Sequence, residues 1–153
     1  MSREIPLTKG KVAIVDDDDY ERVMQHKWYC SNNGYAKRGV GAHGKIHQLL
    51  HRFIMNEPEG LQVDHRDGYR LNCRKENLRV CTMSQNGCNR GMQINNTSGR
   101  KGVTWCKKRK KWQAQITANG IHKYIGHFSS VDEAGDAYAK IAIELHGEFA
   151  RVS

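Results

Sequence analysis

Asp64 and His65 stand side by side in the stretch VDHRDGYRLNCRKENLRVCTMSQNGCN, Val63 to Asn89, which also carries Asn72, Asn77, Asn86 and Asn89. One acid, one base and several neutral amides at this density are the inventory for a hydrated metal beside a proton acceptor. Positioning them needs a rigid frame, and the pattern supplies one. Leu61 to His65 alternates apolar and polar residues, as a strand ending at Asp64 and His65 does. Gly68 to Asn77 is polar and turn-rich, Leu78 to Thr82 can return as a second strand, and Met83 to Arg90 can start a short helix with Thr82 or Ser84 near its N-cap. Neighbours on a strand face opposite ways, so Asp64 and His65 can do different jobs.

Ahead of this stretch, Lys11 to Val15 reads as a short strand stopped by the run Asp16 to Asp19. Four carboxylates in a row can bind metal or can charge the start of a helix over Tyr20 to Gln25. Ser31-Asn32-Asn33-Gly34 between Lys27–Cys30 and Tyr35–Val40 is a hairpin signal. Gly39 to Gly44 makes a further turn into Lys45 to Met55, where His47 and His51 are four apart. That spacing fits paired metal ligands on one helix face, or packing and phosphate contact beside Arg52. Glu57-Pro58-Glu59-Gly60 breaks the pattern before the Asp64-His65 unit.

The 153 residues are 38% apolar, with mean hydropathy −0.76, which favours small modules over one large core. No apolar run approaches the roughly 20 residues of a membrane span, and Met1 to Gly10 lacks a secretory signal, so an intracellular protein without a membrane partner is expected. The five cysteines form no CxxC pair; reduced, partly buried thiols are expected, and no structural zinc. The net charge of +9 is localised: residues 100–128 carry eight basic and no acidic side chains, whereas residues 129–153 carry two basic and five acidic ones. A basic stretch interleaved with Trp105, Trp112 and Tyr124 suits a phosphate backbone.

Asn86 to Gly99 reads as a helix end and linker. Beyond it, Lys101–Cys106, Lys111–Ala118 and Ile121–Phe128 are three expected strands, with Asn119-Gly120 as a hairpin turn. Ser129-Ser130 offers caps for a helix over Val131 to Leu145, with Ala134, Ala137, Tyr138, Ile141, Ala142 and Leu145 on one face and Gly147 as its stop. Trp112 and Phe128 are expected in the core under that helix. The fold class is therefore α+β: a small mixed region leading into a strand–loop–strand–helix unit, then a three-stranded antiparallel sheet on one helix.

VDHRDG, the NLR at Asn77–Arg79 and SQNGCN, with Asn77 twelve and Asn86 twenty-one residues after His65, resemble HNH nucleases of the ββα-metal fold. The closest likeness is to phage and intron-type homing endonucleases, here as a variant with asparagine at the last position. The resemblance implies a metal-dependent DNA endonuclease. Asp64 and Asn86 would hold one divalent cation per chain, Mg²⁺ or Mn²⁺. His65 would be the general base, and Asn77 would orient its imidazole. Cys73 stands where such proteins carry a second asparagine. The residues GVTW, KWQAQI, IGHF, DEAGDAY and HGEFA resemble the Apetala-type domain of plant ethylene-response factors, which lays its sheet on double-stranded DNA.

These likenesses divide the chain into a nuclease domain over residues 1–90, with its core at about 61–90, a linker over 91–99 and a DNA-binding domain over 100–153. Arg90, Arg100, Lys101, Thr104, Lys107, Lys111, Gln115, Thr117 and His122 are the candidates to face DNA. A monomer would nick and a homodimer could cut both strands. The rivals are a non-catalytic DNA-binding regulator built from the same modules and a structure-selective or RNA-directed nuclease.

Overall fold

The computed structural model describes residues 1–56 and 58–152; Glu57, part of the expected break, lies outside them, as does Ser153. Backbone contacts divide the chain into two compact units, Met1–Thr82 and Met83–Ser153. No helix among the described residues is long and apolar enough to cross a membrane.

The first unit starts with an antiparallel hairpin of β1 (Ser2–Pro6) and β2 (Val12–Asp16). Ala13 and Val15 are fully buried while Val12 is exposed, the alternation of a half-buried strand. Helix α1 (Asp17–Met24) follows directly with Asp17, Asp18 and Asp19 in its first turn, where the helix dipole favours negative charge. Strands β3 (Tyr29–Cys30), β4 (Ala36–Val40) and β5 (Ile46–Leu49) form a sheet with β4 in the middle, joined across the expected Ser31–Gly34 turn. Lys45 to Met55 is thus split: β5 gives way to α2 (Leu50–Ile54). His47 sits on the strand and His51 on the helix, so the two do not share a helix face.

Strands β6 (Gln62–His65) and β7 (Leu78–Cys81) pair antiparallel, with Asp64 opposite Arg79 and His65 opposite Leu78. The loop between them is stitched to β2. Ile14 N–H donates to the Leu71 carbonyl at 2.8 Å, and Cys73 N–H donates back to the Ile14 carbonyl at 2.8 Å. The acidic run reinforces this seam rather than capping α1 with a side chain. Asp16 Oδ2 accepts the Lys75 backbone N–H at 2.8 Å, and the buried Asp19 pairs with Lys75 and Arg22, each at 2.8 Å. Ile5, Val15, Val23, Leu50, Ile54, Leu71 and Leu78 share one core, so the β6–β7 loop rests on the N-terminal elements.

The second unit opens with α3 (Met83–Cys88). It continues into a three-stranded antiparallel sheet of β8 (Val103–Cys106), β9 (Lys111–Ala118) and β10 (Ile121–Phe128), with β9 central. Helix α4 (Val131–His146) covers one face. Ser130 and Glu133 form a reciprocal capping box at its start, and Gly147 closes it. Val103, Ala114, Ile116, Ala134, Tyr138 and Ala142 make the core, with Trp112 and Phe128 packed against it. Leu145, expected on the buried face, is 41% exposed, because the helix has by then run past the short sheet it covers. Gly102 has φ 70°, and a Cβ there would lie 2.2 Å from the Tyr138 ring; only glycine permits this approach.

Candidate active site and basic cleft

Asp64 and His65 end β6 as expected, and both are buried. The strand sends them different ways. Asp64 faces its cross-strand neighbour Arg79, which donates to Oδ2 from Nε at 2.9 Å and from Nη2 at 2.8 Å. Both partners of this ion pair are buried, so each charge has its counter-charge where water cannot supply one. His65 packs among rings: His51 lies edge-on at 4.7 Å between centroids, and Tyr35 at 6.1 Å. Its Nε2 is 3.9 Å from Cys73 Sγ. Burial pulls the His65 pKa below its ordinary value, opposed by Asp64 and Asp67 and aided by Arg70. At neutral pH the ring is an uncharged base.

Asn77, the expected support of the imidazole, makes its hydrogen bonds within the turn that follows β6. Its Nδ2 donates to Asp67 Oδ1 at 3.0 Å and to the Asn72 carbonyl at 2.8 Å, while its Oδ1 accepts the Asp67 N–H at 3.1 Å. An amide nitrogen has two hydrogens, and both are committed. The support is indirect: the Asn77 carbonyl accepts the Arg66 N–H at 2.9 Å, so Asn77 fixes the turn that leaves His65.

Asp67 is the hub of that turn and was missed from sequence, although VDHRDG contains it. Burial opposes its ionisation, but hydrogen bonds from Asn72, from the Tyr69 N–H and from Asn77 hold it below the usual carboxylate range. Asn72 is thereby structural. Cys73 is fully buried; burial first, then Asp67, pushes its thiol up to about 12, so it stays protonated.

His51, Tyr35, Arg70 and Arg79 were also missed as neighbours of the site. Arg79 belongs to the NLR motif, and its partner follows once β6 and β7 are put in register. Asn86 lies on α3, in the second unit. Among the described residues no three His, Cys, Asp or Glu side chains cluster as a metal site. A carboxylate and an amide are both oxygen donors, the kind a hard divalent cation takes.

In the second unit, strand alternation puts Thr104, Lys111, Gln115, Thr117 and His122 on the sheet face opposite α4. Thr117 Oγ1 and His122 Nδ1 pair across the strands at 3.2 Å. Arg90, Lys101, Thr104, Gln115, Thr117 and His122 line one cleft of about 760 Å³. Its lining, among the described residues, includes no carboxylate. Lys107 and Lys111 are exposed outside it.

Two candidates are otherwise engaged. Arg100 forms an ion pair with Asp132 on α4, since its stem lies across Gly135. The Lys101 ammonium is half-buried and donates to the Cys88 carbonyl at the end of α3 at 2.8 Å, the favourable end of a helix for a cation.

The description of the HNH endonuclease family matches residues 56–88, a span that holds Asp64, His65, Asn77 and Asn86. An uncharacterized HNH endonuclease of Acanthamoeba polyphaga mimivirus is 31% identical over 144 residues, covering 93% of this chain and 74% of that protein. The chain belongs to the HNH endonuclease family. Protein 3.8 of Escherichia phage T7 is also similar, 36% identical over 94 residues, covering 61% of this HNH protein and 77% of the phage one. No solved structure matches. Membership makes the protein a member of a nuclease family, with DNA as the implied substrate and a divalent metal typical of such enzymes. The family match ends at residue 88 and does not reach the sheet of the second unit.

Proposed function

We propose that this HNH protein is a site-specific, homing-type DNA endonuclease in which His65 is the general base. The observation that carries the reading is the pair at the end of β6: a buried carboxylate ion-paired with Arg79 beside a buried imidazole whose pKa is lowered by burial. A general base needs the neutral ring at working pH, and a ligand to a hard cation needs the charged oxygen.

Asp64 and Asn86 would hold one Mg²⁺ or Mn²⁺ through oxygen. When bound, the cation would supply Lewis-acid stabilisation of charge at the phosphate and the leaving oxygen. His65 would accept the proton of the attacking water, and the Asn77–Asp67–Asn72 network would hold the turn that fixes its backbone. The acid-free cleft and the open face of β8–β10 would take the phosphate backbone and base edges, with Thr104, Gln115, Thr117 and His122 as neutral readers and Lys107, Lys111 and Arg90 as phosphate contacts. We keep the Apetala-type likeness of residues 100–153 as part of this proposal. Two linked modules would gain effective concentration on one duplex.

The test is cleavage of supercoiled plasmid carrying a candidate site, with Mg²⁺ or Mn²⁺, by the parent and by His65→Ala and Asp64→Ala. Metal-dependent nicking or linearisation by the parent alone is expected. Sequence-selective binding with no cleavage, and no difference between parent and variants, would favour the non-catalytic regulator instead.

A further inference from the structure

His51 sits on α2 between two apolar core residues in its helix turn, Leu50 and Ile54, and its ring is buried. Its Nδ1 has no hydrogen-bond partner among the described residues. A leucine at this place would avoid burying an unsatisfied polar atom, so packing stability does not account for a histidine. What the ring does touch is specific. It meets the His65 ring at 4.7 Å with 67° between planes, an edge arrangement favoured between aromatic rings. It meets Tyr35 at 5.5 Å, and Tyr35 reaches His65 at 6.1 Å. The Arg70 guanidinium lies over Tyr35 at 5.0 Å, and the Arg70 Nη1 is itself anchored on the Asn33 carbonyl at 2.7 Å.

We propose that His51 is a positioning residue of the active site, whose ring, with that of Tyr35, fixes the plane of the His65 imidazole. The inference rests on the reading of His65 as the general base. An imidazole on a strand can rotate about χ1 and χ2, and an aliphatic neighbour resists that rotation weakly because it presents no flat face. A ring set edge-on at close range admits one orientation. Cys73 Sγ, 3.9 Å from Nε2, closes another side. The base is then held in one pose before substrate arrives, which is the condition for near-attack geometry. His51 does this without touching DNA or the cation, so its effect falls on turnover and not on binding.

The experiment measures kcat and KM for cleavage of supercoiled plasmid with Mn²⁺ by the full chain and by His51→Leu, His51→Phe, Tyr35→Leu and His65→Ala. His51→Leu keeps the volume and the apolar contacts of α2 but not the ring. It is expected to lose about 100-fold in kcat, the scale of a 1 Å misplacement, with KM within about twofold. His51→Phe restores a ring and is expected to recover about tenfold of that loss. Tyr35→Leu is expected to lose about tenfold in kcat alone, and it carries the test should His51→Leu fail to fold. Parent-like kcat in both leucine variants, a loss confined to KM, or His51→Phe no better than His51→Leu would each overturn the proposal. If His65→Ala cleaves like the parent, the base reading itself is wrong; if His65→Ala is dead while the His51 and Tyr35 variants are parent-like, only the positioning role is.

Discussion

Acid should loosen the first unit through one side chain. Burial first, then His65 and Arg52, lowers the His51 pKa from its ordinary 6.5 to about 3, so the folded protein keeps this ring neutral throughout mild acid. The unfolded chain does not. Below pH 6.5 the unfolded state binds a proton that the native state refuses, and stability falls with falling pH at about 1.4 kcal/mol per unit. The sign follows from the direction of the shift: a base whose folded pKa is depressed contributes fully above its unfolded pKa and progressively less below it. Between pH 7.5 and 5 the loss from His51 alone comes to about 2 kcal/mol, and the window lies above the range in which the depressed Asp67 carboxylate titrates.

His65 is depressed too and adds to the loss, so the prediction is a difference between proteins. In urea titrations at pH 7.5 and pH 5, followed by amide NMR intensities of Val15 and Leu50, the parent should lose about 2 kcal/mol more than His51→Phe. Equal acid sensitivity in the two proteins would show that His51 is not neutral and buried as described, and the ring arrangement would go with it.

Arg79→Met leaves the buried Asp64 carboxylate without its counter-charge; a stability loss of about 3–5 kcal/mol in urea at pH 7 is expected. Lys107→Ala and Lys111→Ala should each reduce the slope of log K against log salt for duplex binding by about one unit, while Arg100→Ala, already paired with Asp132, should leave it unchanged. Fluorescence anisotropy across a salt series reads both outcomes. Gly102→Ala drives a Cβ into Tyr138 and forces a left-handed φ on alanine; a loss of about 2 kcal/mol or more in the second unit is expected, measurable by thermal unfolding.

What could be read from the chain was what local chemistry determines. Asn119-Gly120 needs positive φ at both positions, and both have it, at 51° and 78°, so the β9–β10 turn and its register followed from two letters. Ser130 and Glu133 announced the start of α4 by their spacing. Asp64 and His65 could be placed on a strand end because five residues alternate. The contacts that give His65 its character come from far along the chain. Tyr35 reaches it by a β-hairpin and His51 by a strand-to-helix switch inside a segment whose four-residue histidine spacing suggested a single helix. The contacts of Asn77 with Asp67 and Asn72 were not legible, because a motif records that an amide is present and not where its two hydrogens go. Arg100 and Lys101 were assigned by charge, and both are engaged within their own unit because a helix start and a helix end lie beside them.

The seam between β2 and the loop before β7 bears on how such a protein can be recombined. The motif itself spans little more than residues 64–86, yet its loop exchanges hydrogen bonds with Ile14, donates one to Asp16 and forms an ion pair with Asp19. A chimera that grafts only the motif onto another scaffold would cut every one of these. The first unit ends at Thr82, inside the motif and ahead of Asn86, so an exchange that keeps the motif whole would cut after α3. Residues 1–88 would then travel as one cassette, and the sheet that begins at β8 could be exchanged behind it.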